Sequence, residues 1–249
     1  MADRPRVLIL GGTAEAVALA NRAAAAFDIV YSLAGRTRSP SLPTGVGVRT
    51  GGFGGADALA VWIDENRIDA VVDATHPFAR QIAGNAARAC NTASKPRLKL
   101  LRAAWVKQTG DNWRPAAKLT DAANMLPQLG KSAFLSIGRQ ELSAFAAVEN
   151  VKFIVRSIDP PAEEGILPGA EFIIGRGPFT IAMETALLQA HRIDVVVSKN
   201  AGGEATYAKI CAARALALPV VMVERPSPPT GKLVQSVDQA SAWLNDTVL

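Results

Sequence analysis

The first residues of this chain that could do chemistry follow a short apolar run near the N-terminus. The run Val7–Leu10 predicts a strand that is buried on both faces, and Gly11-Gly12-Thr13 then turns the chain into the alanine-rich helix pattern of Ala14–Ala26. A strand, a glycine turn and a helix in this order are typical of a nucleotide site, because glycines let the backbone approach a phosphate and the N–H groups at the start of the helix point at it. Gly11, Gly12 and Thr13 are therefore candidate pyrophosphate ligands. A tight turn without a ligand is the alternative.

A basic turn follows the second predicted strand. Asp28–Leu33 ends before Gly35, Arg36 and Thr37, and no acidic residue follows until Asp57. In a dinucleotide fold an acid at this place accepts from the 2′-hydroxyl of NAD, whereas Arg and Thr suit the 2′-phosphate of NADP. The turn therefore favours NADPH as cofactor, with Gly35, Arg36 and Thr37 as candidate ligands. An exposed basic turn is the alternative.

Two more strand ends carry candidate residues. The glycine-rich segment Gly51–Gly55 permits close approach of the backbone to a ligand, so Gly52 is a candidate cofactor ligand; a flexible connector is the alternative. The apolar run Ile68–Val72 predicts a strand, and Thr75 and His76 follow it, where open α/β sheets place ligands. We expect both beside the nicotinamide, with His76 as the candidate catalytic residue. A capping or packed histidine is the alternative.

The second half of the chain repeats the pattern of the first. The apolar run Ala133–Ile137 is followed by a Gly-x-x-Glu turn, 126 positions after the same turn in the first half. Arg67–Val72 likewise matches Arg192–Val197, 125 positions further on. Because the offsets are nearly equal, the repeat predicts two related α/β halves rather than a solenoid.

Charged residues in the second half replace small turn residues of the first. Arg139, Arg176, Lys199 and Asn200 all follow or end predicted strands. Cations and amides at the carboxyl edge of a sheet suit carboxylates. We predict that Arg139, Arg176 and Asn200 bind an acidic substrate and that Lys199 contacts the cofactor.

Composition excludes several classes of protein. The 249 residues are 49% hydrophobic and 20% charged, which is typical of a globular protein, and no apolar run approaches the roughly 18 residues that span a membrane. The N-terminus has no signal-peptide core, so we expect a cytoplasmic protein. The two cysteines have no metal-ligand spacing, which predicts no metal site.

The net charge of +5 is modest for a nucleic-acid binder, and no basic stretch is interleaved with aromatic residues. One segment, from Arg88 to Lys118, has eight basic residues against a single acid, Asp111. A solvated edge and a field that attracts a small polyanion are both open interpretations.

These observations predict an α/β protein with two Rossmann-like lobes of parallel strands. We expect an NADP-binding lobe at residues 1–125, a substrate-side lobe at 126–249, and an active site in the cleft between them. A nicotinamide cofactor on one lobe and an acidic substrate on the other would make an oxidoreductase. The alternatives are a non-catalytic NADP sensor and an NADP-dependent reductase of another acidic small molecule. A short-chain reductase is disfavoured because its Tyr-x-x-x-Lys pair is missing.

Together the motifs resemble the precorrin-6A (precorrin-6x) reductase family of cobalamin biosynthesis over essentially the whole chain. The more specific ones are Thr-His-Pro-Phe-Ala at 75–79 and Ser-Lys-Asn-x-Gly-Gly at 198–203, with the glycine turns at 11–12 and 51–55 beside them. The resemblance implies NADPH-dependent reduction of one double bond in the precorrin-6A macrocycle, giving precorrin-6B. It also implies a tetrapyrrole substrate with several acetate and propionate groups, and it leaves open the aerobic and the cobalt-early branches.

Overall fold

A computed structural model describes residues 4–35, 37–160 and 166–248 and divides the chain into two compact units. The first unit comprises residues 1–103 and 226–249, and the second comprises residues 104–225. Within the described ranges, no helix is long and apolar enough to cross a membrane. The predicted boundary at 125/126 is wrong, because the units divide after residue 103 and again after residue 225, where the chain returns to the first unit.

The first unit contains a six-stranded parallel sheet with helices. Its strands are β1 (Arg6–Leu10), β2 (Asp28–Leu33), β3 (Gly47–Thr50), β4 (Ala70–Asp73), β5 (Arg97–Leu100) and β12 (Lys232–Val234), and its helices are α1 (Ala14–Ala23), α2 (Ala56–Glu65), α3 (Arg80–Thr92) and α7 (Val237–Val248). The strand order is β12-β5-β4-β1-β2-β3, which is the Rossmann order with β12 as the sixth strand.

The second unit has the same arrangement. Its strands are β6 (Asn112–Ala116), β7 (Ser132–Ser136), β8 (Lys152–Ser157), β9 (Glu171–Ile174), β10 (Val195–Lys199) and β11 (Pro219–Val223), and its helices are α4 (Leu119–Leu129), α5 (Ile181–Ala190) and α6 (Ala208–Ala215). The order β6-β11-β10-β7-β8-β9 is also fully parallel. The predicted α/β class with two Rossmann-like halves is confirmed.

The strand β1 is buried on both faces, as its apolar run predicts. Val7 and Ile9 belong to a cluster that includes residues of α1 and α7, whereas Leu8 and Leu10 belong to a cluster that includes residues of α2 and α3. All four side chains are at most 2% exposed. Alternate side chains of one strand therefore fill two cores, which fixes the register of the strand.

The repeated Arg-Ile-Asp sequence has a structural role in both units. Arg67 and Arg192 both have a φ of +50°, so each turns the chain into the following strand. Asp69 then accepts a hydrogen bond from the N–H of Arg6 at 2.7 Å, and Asp194 accepts one from the N–H of Lys131 at 2.7 Å. Each aspartate thereby ties the start of one central strand to the start of its neighbour, which explains this repeat without any ligand.

Segments at both ends of the second unit explain the error in the boundary. Residues 107–118 contain β6, which pairs with β11 through Asn112–Ala116. The C-terminal segment returns to the first sheet, where β12 pairs with β5, and α7 packs on α1. Short outer strands carry little periodicity, so the sequence pattern does not reveal which sheet they join.

Candidate active site

The carboxyl ends of β1 and β4 form the switch point of the first sheet, where open α/β sheets bind ligands. The turn Gly11–Thr13 and the turn Ala74–Pro77 meet there. The hydroxyl of Thr13 donates to the carbonyl of Ala74 at 2.8 Å and accepts from the N–H of Ala16 at 3.1 Å, as the N-cap of α1. The side chain of Thr13 therefore joins the two turns.

Tyr31 of β2 holds the glycine turn from below. Its side chain is fully buried, and its Oη accepts a hydrogen bond from the N–H of Gly12 at 3.1 Å. A Cβ on Gly11 would lie 2.2 Å from the tyrosine ring, and Gly12 has a φ of +106°. Burial raises the pKa of Tyr31, so its hydroxyl stays protonated. Packing thus requires Gly11, and backbone conformation requires Gly12, without any ligand. The N–H groups of both are already occupied, since that of Gly11 donates to the carbonyl of Ser32 at 2.9 Å.

A buried ion pair lies beneath the second turn of the switch point. Lys99 Nζ is 2.9 Å from Asp73 Oδ1, and these residues are 3% and 0% exposed. The same Oδ1 accepts from the N–H of Thr75 at 3.1 Å and from its hydroxyl at 2.6 Å. Burial lowers the pKa of Lys99, and Asp73 opposes that shift. The network fixes the backbone and the hydroxyl of Thr75.

His76 follows Thr75 in the same turn. Its Nδ1 accepts a hydrogen bond from the N–H of Phe78 at 3.3 Å, and the two rings lie 5.8 Å apart. This geometry is that of the capping histidine considered as an alternative above. It also makes Nε2 the nitrogen that carries the proton of a neutral ring.

The turn after β2 carries the residues that were predicted at the 2′-phosphate. Gly35 has a φ of +75°, and a Cβ there would lie 2.9 Å from Thr50 Cγ2, so only glycine fits. Thr37 is half-buried, and Arg36 lies outside the described residues.

Arg49 of β3 organises the glycine segment after that strand. Its guanidinium donates to the carbonyl of Gly51 at 2.9 Å and to that of Gly52 at 3.0 Å, and it lies 3.7 Å from the ring centroid of Phe53. A Cβ on Gly51 or Gly52 would meet nothing within 4 Å. The space beside these two glycines is therefore open to a ligand.

A second ion pair crosses the switch point. Glu15, in the first turn of α1, lies 2.9 Å from Arg102, just beyond β5. Both residues line a small recess, together with Thr13, Ala74, Thr75, Pro77, Leu100 and Leu101. Since Lys99 and Arg102 already have carboxylate partners, the basic segment noted in the sequence is not one free positive surface.

The second unit places Arg139, Arg176 and Lys199 at the carboxyl edge of its sheet, as predicted. Arg139 opens a 3-10 helix after β7 and donates to the carbonyl of Pro160 at 3.0 Å. Arg176 follows β9 and is exposed. Lys199 ends β10 and forms an ion pair with Glu141.

The side-chain amide of Asn200 is occupied within the same unit. Its Oδ1 accepts from the N–H of Trp105 at 2.8 Å, and its Nδ2 donates to the carbonyl of Trp105 at 3.0 Å. The carbonyl of Asn200 accepts from Arg225 at 2.6 Å. Asn200 thus connects Trp105 and Arg225, which lie near the two ends of the second unit. Its role toward a substrate stays a prediction.

A buried charge cluster in the second unit was missed by the sequence reasoning. Arg156 Nη2 lies 2.8 Å from Glu184 Oε1, although not in hydrogen-bond geometry, and Lys209 Nζ donates to the carbonyl of Thr206 at 2.7 Å. Arg156, Glu184 and Lys209 are at most 8% exposed. Burial, reinforced by Arg156 and opposed by Glu184, lowers the pKa of Lys209 to about 7.

Tyr31, Asp73, Lys99 and Arg49 were also missed as parts of the site. The one available signal was a lysine inside the apolar run of β5, because a lysine between buried residues requires a buried carboxylate. Among the described residues there is no cluster of His, Cys, Asp and Glu that could hold a metal ion. Cys90 is buried, and burial raises the pKa of its thiol to about 11, as expected for an inert thiol.

The first unit thus has the strand order, glycine turn and switch point of a Rossmann dinucleotide-binding fold. A family model described as precorrin-6x reductase CbiJ/CobK matches residues 6–245. The chain belongs to this reductase family.

Individual relatives agree with the family match. A precorrin-6A reductase of Rhodococcus erythropolis is 50% identical over 242 residues, covering 96% of this chain and 97% of its own. A cobalt-precorrin-6A reductase of Salmonella typhimurium is 30% identical over 237 residues, covering 89% and 88%. The solved structure of a CobK precorrin-6A reductase superposes with a TM-score of 0.92 at 40% identity, covering 98% of this chain and 97% of its own.

Proposed function

We propose that this protein reduces one double bond of precorrin-6A with NADPH, giving precorrin-6B in cobalamin biosynthesis. The observation that carries the proposal is the switch point of the first sheet, with its glycine turn and ordered Thr75–Pro77 turn, in a chain that matches the reductase family from residue 6 to 245. The resemblance that the motifs indicated and the family match support the same reaction.

The residues of the first unit fit a dinucleotide. We assign the pyrophosphate to Gly11, Gly12 and Thr13, and the open space beside Gly52 to the adenosine half. The turn after β2 lacks the acid that would accept from the 2′-hydroxyl of NADH, which supports NADPH. The nicotinamide supplies the hydride when the cofactor is bound.

In this proposal the second unit provides the positively charged side chains that bind the substrate. Arg139 and Arg176 would bind carboxylates of the tetrapyrrole, and Lys199 would approach the cofactor, its charge partly balanced by Glu141. Asn200 would contribute as substrate ligand only by giving up its bonds to Trp105. The identity is 50% to the precorrin-6A reductase and 30% to the cobalt-precorrin-6A reductase, which supports metal-free precorrin-6A as the substrate.

His76 is the proposed proton donor. Because Nδ1 is held by the N–H of Phe78, Nε2 can carry a proton to the carbon next to the one that receives the hydride. His76→Asn keeps an acceptor near the position of Nδ1 and removes Nε2. We expect kcat to fall by about 10²-fold or more while the Kd for NADPH stays unchanged. An unchanged kcat would assign proton delivery to solvent.

Anaerobic turnover with purified protein, NADPH and fresh precorrin-6A tests the reaction. Loss of NADPH coupled to a change in the macrocycle spectrum would support the reductase. Tight NADPH binding without turnover would instead favour the NADP sensor or another acidic substrate. The cobalt complex of the substrate, assayed in parallel, should react more slowly.

Cofactor preference is tested separately by Thr37→Ala and Arg36→Ala. Loss of a charge-assisted contact with the 2′-phosphate should lower the NADPH-over-NADH preference in kcat/KM by roughly tenfold for each variant. A preference equal to that of the wild type would remove the residue from the 2′-phosphate site.

A further inference from the structure

A separate cavity lies on the other side of the Thr75–Pro77 turn, within the first unit. Its volume is about 230 Å³, and it adjoins the recess at the switch point because Pro77 and Leu101 line both. The remaining walls come from α3, β5 and the segment that precedes β12, through Arg80, Ala83, Lys99 and Pro226–Pro229.

The walls of this cavity have a distinct chemistry. Its surface is mixed: polar atoms supply slightly more than half, and Pro77, Ala83, Leu101 and the prolines of 226–229 supply the apolar part. Prolines have fixed φ angles and no N–H, so the wall formed by residues 226–229 is stiff and offers few hydrogen-bond donors. No aspartate or glutamate is among the described residues that line the cavity.

Arg80 supplies the cation of the cavity. The Nζ of Lys99 is already bonded to Asp73 and Thr75, so that lysine presents mainly its aliphatic stem. The side chain of Arg80, by contrast, is exposed and makes no hydrogen bond or ion pair with the described residues. A guanidinium with apolar side chains next to it suits a carboxylate on a short aliphatic chain.

We propose that this cavity is a subsite for one acetate or propionate arm of the tetrapyrrole, with Arg80 binding its carboxylate. The inference rests on the proposed function, because it takes precorrin-6A as the ligand. The volume suits one side arm rather than a macrocycle, since pockets for whole ligands span about 300–1,000 Å³. The arm would anchor the macrocycle next to Thr75 and His76, at the nicotinamide end of the switch point.

Four variants test the subsite. Arg80→Gln removes the charge, Arg80→Lys retains it, and Ala83→Leu fills the cavity from α3, where Ala83 is 6% exposed. Arg88→Gln is the matched control, since Arg88 lies on the same helix and bonds Asn85 at 2.9 Å. For each variant we would measure the Kd of precorrin-6A without cofactor from the absorption of the macrocycle, KM and kcat with NADPH, and the Kd of NADPH.

Arg80→Gln should weaken precorrin-6A binding by about ten- to a hundredfold, the effect of one hydrogen bond between charged groups. Ala83→Leu should act in the same direction, Arg80→Lys should restore part of the affinity, and Arg88→Gln should match the wild type. The Kd for NADPH should stay within about twofold in all four, which a general loss of structure would not allow.

Unchanged precorrin-6A binding in both Arg80→Gln and Ala83→Leu would overturn the subsite. A wild-type protein that binds precorrin-6A without reducing it would refute the proposed reaction, while the binding measurements would still decide the subsite. A wild-type protein that does not bind precorrin-6A at all would refute both.

Discussion

The buried pair of Lys99 and Asp73 gives the sharpest prediction of stability. Lys99→Met keeps the aliphatic stem and removes the ammonium, which leaves the fully buried carboxylate of Asp73 without its counter-ion. Oδ1 would keep the N–H and the hydroxyl of Thr75, while Oδ2 makes no hydrogen bond with the described residues. Breaking a buried pair in this way costs about 3–5 kcal/mol of the free energy of unfolding.

A double-mutant cycle measures the interaction energy of Lys99 and Asp73 separately from the contribution of each side chain. Asp73→Asn should cost less, about 1–3 kcal/mol, because burial already favours the neutral form of Lys99. Asp73→Asn combined with Lys99→Met leaves no buried charge, so we expect the double variant to lose less than the sum of the two single losses, by about 2 kcal/mol.

Urea denaturation followed by circular dichroism measures these differences, and thermal midpoints check them. At about 2–4 °C per kcal/mol, Lys99→Met should lower the midpoint by about 6–20 °C. Lys118→Met is the control, because Lys118 is 71% exposed and 3.9 Å from Asp121; its loss should stay below about 1 kcal/mol. If Lys99→Met loses no more than this control, the reasoning about the buried pair is refuted.

Three further predictions concern other parts of the chain. Gly11→Ala should destabilise the first unit by about 1–3 kcal/mol, because its Cβ would lie 2.2 Å from the ring of Tyr31, and Tyr31→Leu should suppress that loss; additive losses in urea denaturation would contradict the clash. The pKa of Lys209 is about 7 in the folded protein and higher in the unfolded chain. Above pH 7 the unfolded state therefore binds more protons than the folded state, so the free energy of unfolding should rise with pH. Relative to Lys209→Met, the free energy of unfolding should increase by about 2 kcal/mol between pH 7 and pH 9, and a constant difference would rule out the shifted pKa. Asn200→Ala should cost about 1–3 kcal/mol of stability through Trp105; a raised KM for precorrin-6A at unchanged stability would instead support contact with the substrate.

The sequence predicted the central strands well because their signals are local. The run Val7–Leu10 is continuous and apolar, and its side chains fill two cores, as a doubly covered parallel strand requires. The internal repeat also predicted two related α/β halves, and the two sheets indeed have matching strand orders. The outer strands β6 and β12 were missed, because a strand of three to five residues with an exposed face has no periodicity that distinguishes it from a loop.

The partners of polar residues were the least predictable feature of the site. Thr13, Thr75 and Asn200 were proposed as ligands from their positions at strand ends, and the positions of all three at the carboxyl edges agree with that expectation. Their side chains nevertheless bond other residues of the chain: Thr75 bonds the nearby Asp73, but Thr13 and Asn200 bond residues that are 61 and 95 positions away in the sequence. Pairings between distant segments depend on packing, which a single sequence does not display.

The repeated Gly-x-x-Glu turn has the same electrostatic use in both units. Glu15 pairs with Arg102, which follows β5, and Glu141 pairs with Lys199, which ends β10. In each sheet the glutamate follows the first central strand and its cation follows or ends a strand on the opposite side of the switch point. The pair therefore ties together the two halves of the edge where ligands bind. The turn that the sequence indicated as a ligand site therefore also has a structural role, because its glutamate forms an ion pair across the sheet edge. This role accounts for the glutamate in the second unit, although the second unit lacks the pair of glycines found in the first.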